Sequence, residues 1–415
     1  MDTTTTTTTG GTAVTAEPGT AAATAGDGFQ ARKTFIVAAG HLSHDIYSSF
    51  LGVLIPAVQA KLGISLAVVS LMIPAQQLPS VVQPAIGYVA DRTTRKWFVV
   101  AAPTVAAVSL SCVGLAPSVA VVLLLLMASG LASAAFHTAA IALVGEYGGK
   151  RMGRAMSIFM AFGDSARTIG PLLITAAIAL FTLKGSAVVM VFGIAASVVL
   201  FFTLDTRESD ARRRATDSVA FRPLLRARRK AITSLLGVYV INGLVTLPFQ
   251  YFLVKLLITN GRSDWYGGIA LSLLSGAGIA GGLIAGSLSD RIGRKTIMTI
   301  AAVASAPLFY LYLVLENGSW QVLLVLMAAG FVALSVRPVT LAMGQELVPE
   351  ARSSMSGLML ALSYITTGVA SIGFGTLGDA VGIREAFLIV AGVSLLALPF
   401  VVFLPDSREI RRLTA

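Results

Sequence analysis

Twelve times between residues 34 and 404 the chain runs through about 20 to 27 residues with few or no charges. At about 1.5 Å of rise per residue, each run is long enough for a helix across a ~30 Å hydrocarbon layer. The runs fall near 34–60, 65–90, 97–116, 119–145, 154–181, 185–204, 231–258, 265–289, 296–315, 320–345, 353–378 and 385–404. None shows the short polar–apolar alternation of a barrel strand, so the expected fold class is an all-α integral membrane protein of twelve transmembrane helices. A chain that is 55% hydrophobic and only 12% charged could not cover a soluble core with polar groups.

A second feature divides the twelve runs into two sixes. Gly87-Tyr-Val-Ala-Asp91-Arg92-Thr-Thr-Arg95-Lys96 follows the second run, and Gly286-Ser-Leu-Ser-Asp290-Arg291-Ile-Gly-Arg294-Lys295 follows the eighth. Both obey G-x-x-x-D-R-x-x-R-K, while the positions between differ almost completely, as in two old copies of one half. A constant offset of 200 then matches Met127-Ala-Ser-Gly130 to Met327-Ala-Ala-Gly330, His137 to Arg337 and Glu146 to Glu346. Parallel repeats with a polar site near the midplane are a secondary-transporter architecture. The expected organisation is a disordered Thr-rich tail over 1–31, a six-helix half over 32–204, a basic linker over 205–230, a second half over 231–404 and a tail over 405–415.

Charge distribution gives an orientation. Of the 31 Lys and Arg residues, 24 lie in the tails and the even-numbered gaps, four in odd-numbered gaps, and three (Arg167, Lys255, Arg337) inside spans. Basic loops are retained in the cytoplasm, so both termini are expected there, in a bacterial-type inner membrane. The net charge of +11 would then face phospholipid headgroups instead of nucleic acid. Cys112 is the single cysteine, which excludes an intramolecular disulfide.

The repeated loop has a mechanical reading beyond topology. Gly87, Asp91, Arg92 and Arg95, with Gly286, Asp290, Arg291 and Arg294, form a candidate conformational latch. In it, each Asp meets the positive start of a helix in the other half: Asp91 near Ser353 and Ser354, Asp290 near Arg154. Ionisable residues deep in spans are costly and mark functional sites. His41, Asp45, Ser48 and Gly52 recur at three to four residues, giving span one a polar stripe with His44 at its edge. Proton-coupling candidates are therefore Asp45, His41, His137, Asp164 and His44. Asp164 and Arg167, at i and i+3, could equally neutralise one another. Arg337, equivalent to His137, suits an anionic substrate such as a phosphonate, phosphate or carboxylate. Arg167, Tyr47, Gln76, Gln77, Asn242, Gln250 and Tyr364 complete the candidate substrate-binding set.

The G-x-x-x-D-R-x-x-R-K loop after spans two and eight resembles the hallmark of the major facilitator superfamily. The resemblance covers residues 32–412. Within that superfamily the chain looks most like the fosmidomycin-resistance-type exporters, on Gly40, His41, Asp45, Gln83, Pro84, Gly87, Tyr88, Asp91, Phe136-His137, Gly163, Gly170-Pro171, Gln345-Glu346-Leu347 and Leu404-Pro405-Asp406. One departure stands out: where that pattern has Pro-Glu after Phe-His, this chain has Thr138-Ala139. No Walker phosphate loop, metalloprotease motif or nucleophile elbow occurs, so ATP-driven transport and intramembrane hydrolysis are not expected, nor is any cofactor or metal. Residues and resemblance together predict a monomeric proton-coupled antiporter that exports a small polar or anionic compound, such as an antibiotic, by alternating access. A proton symporter importing an organic anion is the alternative within transport, and a transport-inactive membrane receptor or scaffold the alternative outside it.

Overall fold

The computed structural model describes residues 29–90, 93–206, 221–316, 318–406 and 409–410. Helices account for nearly all of them, and there is no strand among the described residues. Residues 1–28 of the expected tail, most of the linker, and Asp91 and Arg92 of the first latch lie outside the described residues, while the first helix already begins at Ala31.

Nine of the described helices are long and apolar enough to cross a membrane. One of them, Arg154–Thr203, is two predicted spans, five and six, joined where Thr182 takes a φ of 64°. Spans one and two complete the set as broken helices, so the architecture is consistent with twelve crossings. Span one is Ala31–Ser48 followed by Leu51–Leu62, and span two runs through Leu66–Ser70, Met72–Gln77, a 3-10 turn at Leu78–Val82 and Gln83–Ala90. Span seven is Arg229–Tyr251 then Leu253–Thr259, and span ten is Trp320–Leu334 then Val336–Leu347. Prolines account for several of these interruptions, because each lacks an N–H and crowds the carbonyl four residues earlier. Pro338 thus removes the bond to Leu334, where span ten breaks, and Pro79 sits in the 3-10 turn of span two. The broken helices line the space between the halves, where irregular backbone can be satisfied by protein and water in place of lipid.

The offset of 200 has a packing cause. Gly130 of span four (Val119–Gly148) faces the backbone of span two so closely that a Cβ would lie 2.2 Å from the Gln76 carbonyl oxygen. Gly330 of span ten repeats this against span eight (Asp264–Ile292), 2.7 Å from the Leu274 carbonyl oxygen. Large apolar side chains on spans six, nine and twelve, such as Phe192, Phe202, Val303, Tyr310, Ile389 and Phe403, remain exposed. With lipid outside, these helices form the periphery.

The two halves meet unevenly. On the face opposite the termini, hereafter the far face, span five packs on span eight, span eleven (Arg352–Val381) on the start of span two, and Leu51–Leu62 on Leu253–Thr259. Asp379 of span eleven accepts hydrogen bonds from the Leu66 and Ala67 N–H groups of span two, at 2.9 and 2.8 Å. Toward the terminus face the halves part: a Cβ on Gly286 or Gly357 would meet nothing within 4 Å. Packing between the halves thus closes the far face, and the face carrying the termini is the more open of the two.

Candidate functional site

The polar stripe of span one is anchored on its own half. His41 points Nδ1 at the Phe159 carbonyl oxygen of span five (Met152–Gly185), 2.8 Å away, and its ring stacks on Phe159 with centroids 4.0 Å apart. Gly163, one turn further along span five, makes room for that ring: a Cβ there would lie 2.1 Å from its Cε1. From span four, His137 points Nδ1 at the Ser133 carbonyl oxygen of its own preceding turn, also 2.8 Å away. Only an N–H can meet a carbonyl at that distance, so both rings carry hydrogen on Nδ1 and turn Nε2 inward.

Those inward nitrogens converge on Asp45. The His41 and His137 Nε2 atoms are 3.2 Å apart, His41 Nε2 lies 3.2 Å from Asp45 Oδ2, and His137 Nε2 lies 3.5 Å from Asp45 Oδ1. Two imidazole lone pairs and a carboxylate are all acceptors, and three acceptors at this range repel one another unless a cation sits among them. A proton or another cation placed among them would relieve that repulsion. His41 and Asp45 side chains are 5% and 14% exposed while His137 retains 25%, so His137 is the member through which the cluster communicates with the open space. His44 is fully enclosed, stacked on Phe136 at 5.0 Å and behind the cluster.

Beyond His137 lies a charged wall. Asp164 and Arg167 form the i, i+3 ion pair anticipated from their spacing, at 3.2 Å, yet both side chains stay more than 40% exposed, facing the parted halves and not lipid-buried packing. Arg337, at the break in span ten, lies within electrostatic reach of Tyr239 and Tyr251 of span seven and of Asp164. Arg167 acts in turn on both His137 and Tyr251. Two arginines against one aspartate leave this wall with an excess of one positive charge. Gln77 donates to the Tyr251 hydroxyl and Gln83 to the Tyr364 hydroxyl, each at 3.2 Å, which ties span two to spans seven and eleven across the divide.

Two predicted substrate contacts are corrected by packing. Tyr47 is 2% exposed, donates to the Val189 carbonyl oxygen at 2.7 Å and accepts from the Gly193 N–H at 2.8 Å; it pins span one to span six (Met190–Thr203). Gln76 is 5% exposed, wedged between spans one, two and four. Both follow the helical period toward the wrong side of their helices, which periodicity alone cannot orient. Asn242 donates to the Ala333 carbonyl oxygen at 2.9 Å, holding span seven to span ten just before its break, and Gln250 is half-buried with its carbonyl packed on Gly52.

The latch motif is partly described. Asp290 is 64% exposed and pairs with Arg294 at 3.0 Å, so in this open state it does not reach the start of span five. Arg294 grips Glu346 through two nitrogens at 2.6 and 2.8 Å, and Arg95 makes the equivalent pair with Glu146 at 2.5 Å. These glutamates, at the ends of spans ten and four, are functional partners that the motif alone does not name. Their matched positions 146 and 346 were the available signal. Asp379 and Tyr251 carried none. Arg228, at the linker's end, makes a bidentate pair with Glu350 at 2.7 and 2.8 Å and holds its carboxyl down to a pKa of about 2.

Comparison with known proteins agrees with this geometry. The chain is 26% identical to the fosmidomycin resistance protein of Escherichia coli (strain K12) over 96% of this chain and 99% of that one. It is 24% identical to the uncharacterized MFS-type transporter YfnC of Bacillus subtilis (strain 168), over 91% and 93%. Similar solved folds include a bacterial homolog of the human lysosomal transporter Spinster, inward-facing and occupied, with TM-score 0.76 at 14% identity over 93% of this chain and 98% of that one. A D-xylose-proton symporter has TM-score 0.73 at 14% identity over 92% and 99%. The family model of the Major Facilitator Superfamily matches residues 37–263 and 261–415, and a chain so matched along nearly its whole length, with broken helices around a charged space between two halves, belongs to that superfamily of membrane transporters and is not an enzyme.

Proposed function

We propose that this transporter is a proton-coupled antiporter that exports a small polar or anionic compound, with the basic loops and both termini in the cytoplasm. The observation that carries the reading is the convergence of His41, Asp45 and His137, an acceptor-only cluster that a proton would relieve of repulsion and that opens toward Arg167. Without its proton the cluster is a carboxylate with two neutral imidazoles, net negative beside the arginine wall; with one proton it is neutral overall. The electrostatic attraction for an anion at Arg167 and Arg337 therefore differs between the two protonation states, which is what coupling requires. The similarity to a fosmidomycin resistance protein supports export and a phosphonate-like substrate.

Right-side-out and inside-out vesicles containing the protein test this. In inside-out vesicles with an acid interior, labelled substrate should accumulate and the pH gradient should fall when substrate is added. Asp45→Asn should abolish the proton signal while insertion stays normal. Absence of gradient-driven accumulation across a panel of phosphonates, phosphates and carboxylates would refute export; accumulation in the opposite vesicle orientation would replace antiport with import by symport.

A further inference from the structure

The same three side chains that hold a proton are arranged as metal ligands. A tetrahedral zinc site has metal–nitrogen bonds of about 2.0–2.1 Å, which places neighbouring donor atoms about 3.3–3.4 Å apart. Here the two Nε2 atoms are 3.2 Å apart, and each faces its own oxygen of Asp45, His41 toward Oδ2 at 3.2 Å and His137 toward Oδ1 at 3.5 Å; one donor atom from each of the three residues lies within 4.8 Å of the others. Both imidazoles already have Nδ1–H held by a backbone carbonyl and Nε2 turned inward, the orientation that a metal needs, so little reorganisation of the rings accompanies binding. Asp45 Oδ1 is buried inside the cluster, with His137 Nε2 3.5 Å away and no closer donor. Two nitrogens and a carboxylate suit zinc and its transition-metal neighbours; magnesium and calcium favour all-oxygen sets.

We propose that His41, Asp45 and His137 form a high-affinity site for one zinc-class divalent ion, with the fourth position reached past the partly exposed His137. Ion and proton use the same lone pairs, so a bound ion displaces the proton and arrests coupled transport. That consequence rests on the proton-coupled function proposed above; ion binding does not.

The test uses untagged, metal-stripped full-length protein. Titration with zinc chloride should give one saturable site per chain, and cobalt(II) should develop the intense visible bands of a four-coordinate ion with nitrogen ligands. Asp45→Asn, His41→Gln and His137→Gln should each weaken zinc by more than the about 10–100-fold that loss of a mere supporting contact causes. The cobalt spectrum of the unsubstituted protein keeps the test independent of whether each variant folds. Absence of a one-equivalent site, an octahedral cobalt spectrum, or equal binding by all three variants would overturn the proposal. Proton flux in liposomes is read separately: zinc should stop it, and flux that persists at full zinc occupancy would overturn coupling through this cluster while the binding data stand.

Discussion

Closure of the far face depends on a contact simple enough to quantify. The helix beginning at Leu66 presents its first N–H groups outward; Ser65 Oγ takes that of Val68, and Asp379 takes those of Leu66 and Ala67 from the other half. Asp379 is thus a helix cap supplied in trans. Replacing a side-chain cap with Ala costs about 0.5–2 kcal/mol, and a carboxylate at a helix N-terminus adds about 0.3–1 kcal/mol when exposed, as Asp379 is. Allowing for solvent screening, Asp379→Ala should remove about 1–2 kcal/mol from the far-closed state alone, because the pair separates when that face opens. The ratio of far-closed to far-open molecules then falls about 5–30-fold. Spin labels at Ala120 and Gln321, both exposed on the far face, in a Cys112→Ser background would report the populations as two distances. Asp379→Asn should fall between, since an amide oxygen still accepts one N–H but carries no charge. An unchanged distance distribution in Asp379→Ala would show that apolar packing of spans five, eight, two and eleven closes the face unaided, and would refute the capping argument.

Two further outcomes are expected. Gly163→Ala would place a methyl 2.1–2.7 Å from the His41 ring, which cannot retreat while bonded to Phe159 and stacked on it. Overpacking of this kind costs about 1–3 kcal/mol, so the melting temperature should drop and proton flux should fall with it; a variant with normal flux would mean that His41 can leave Asp45 harmlessly. The Arg228–Glu350 pair docks the linker, and Glu350 drops from 4.5 to about 2 in the folded protein. A lowered carboxyl favours docking above pH 4.5 and loses that contribution as pH falls from 4.5 toward 2, so protease cutting next to Arg228 should rise over that range. Arg228→Met should cut equally at both ends of it; retained pH dependence there would assign the effect to another group.

The motif spacing and the offset of 200 were legible because they reflect local physics: apolar length, positive loops, and a glycine wherever two backbones touch. His41 and Asp45 were readable as one stripe since four residues make roughly one helical turn. Their meeting with His137 was not, because 96 residues separate it from His41 and no spacing rule links helices that join only by packing. For the same reason no metal motif is visible in the sequence. The sequence also could not say which way a polar side chain turns; Tyr47 and Gln76 have the right depth and face neighbouring helices.

By itself, then, the sequence determined a twelve-run helical membrane protein built from two copies of one half, because hydrocarbon thickness and unsatisfied backbone leave a chain of this polarity few other folds. Tertiary structure alone decided which residues share a site, which face is closed, and that Arg95 and Arg294 grip Glu146 and Glu346. Those outcomes depend on how helices rotate and cross. Rotation is fixed by glycine contacts and proline breaks distributed over the whole chain, not by any one segment's composition.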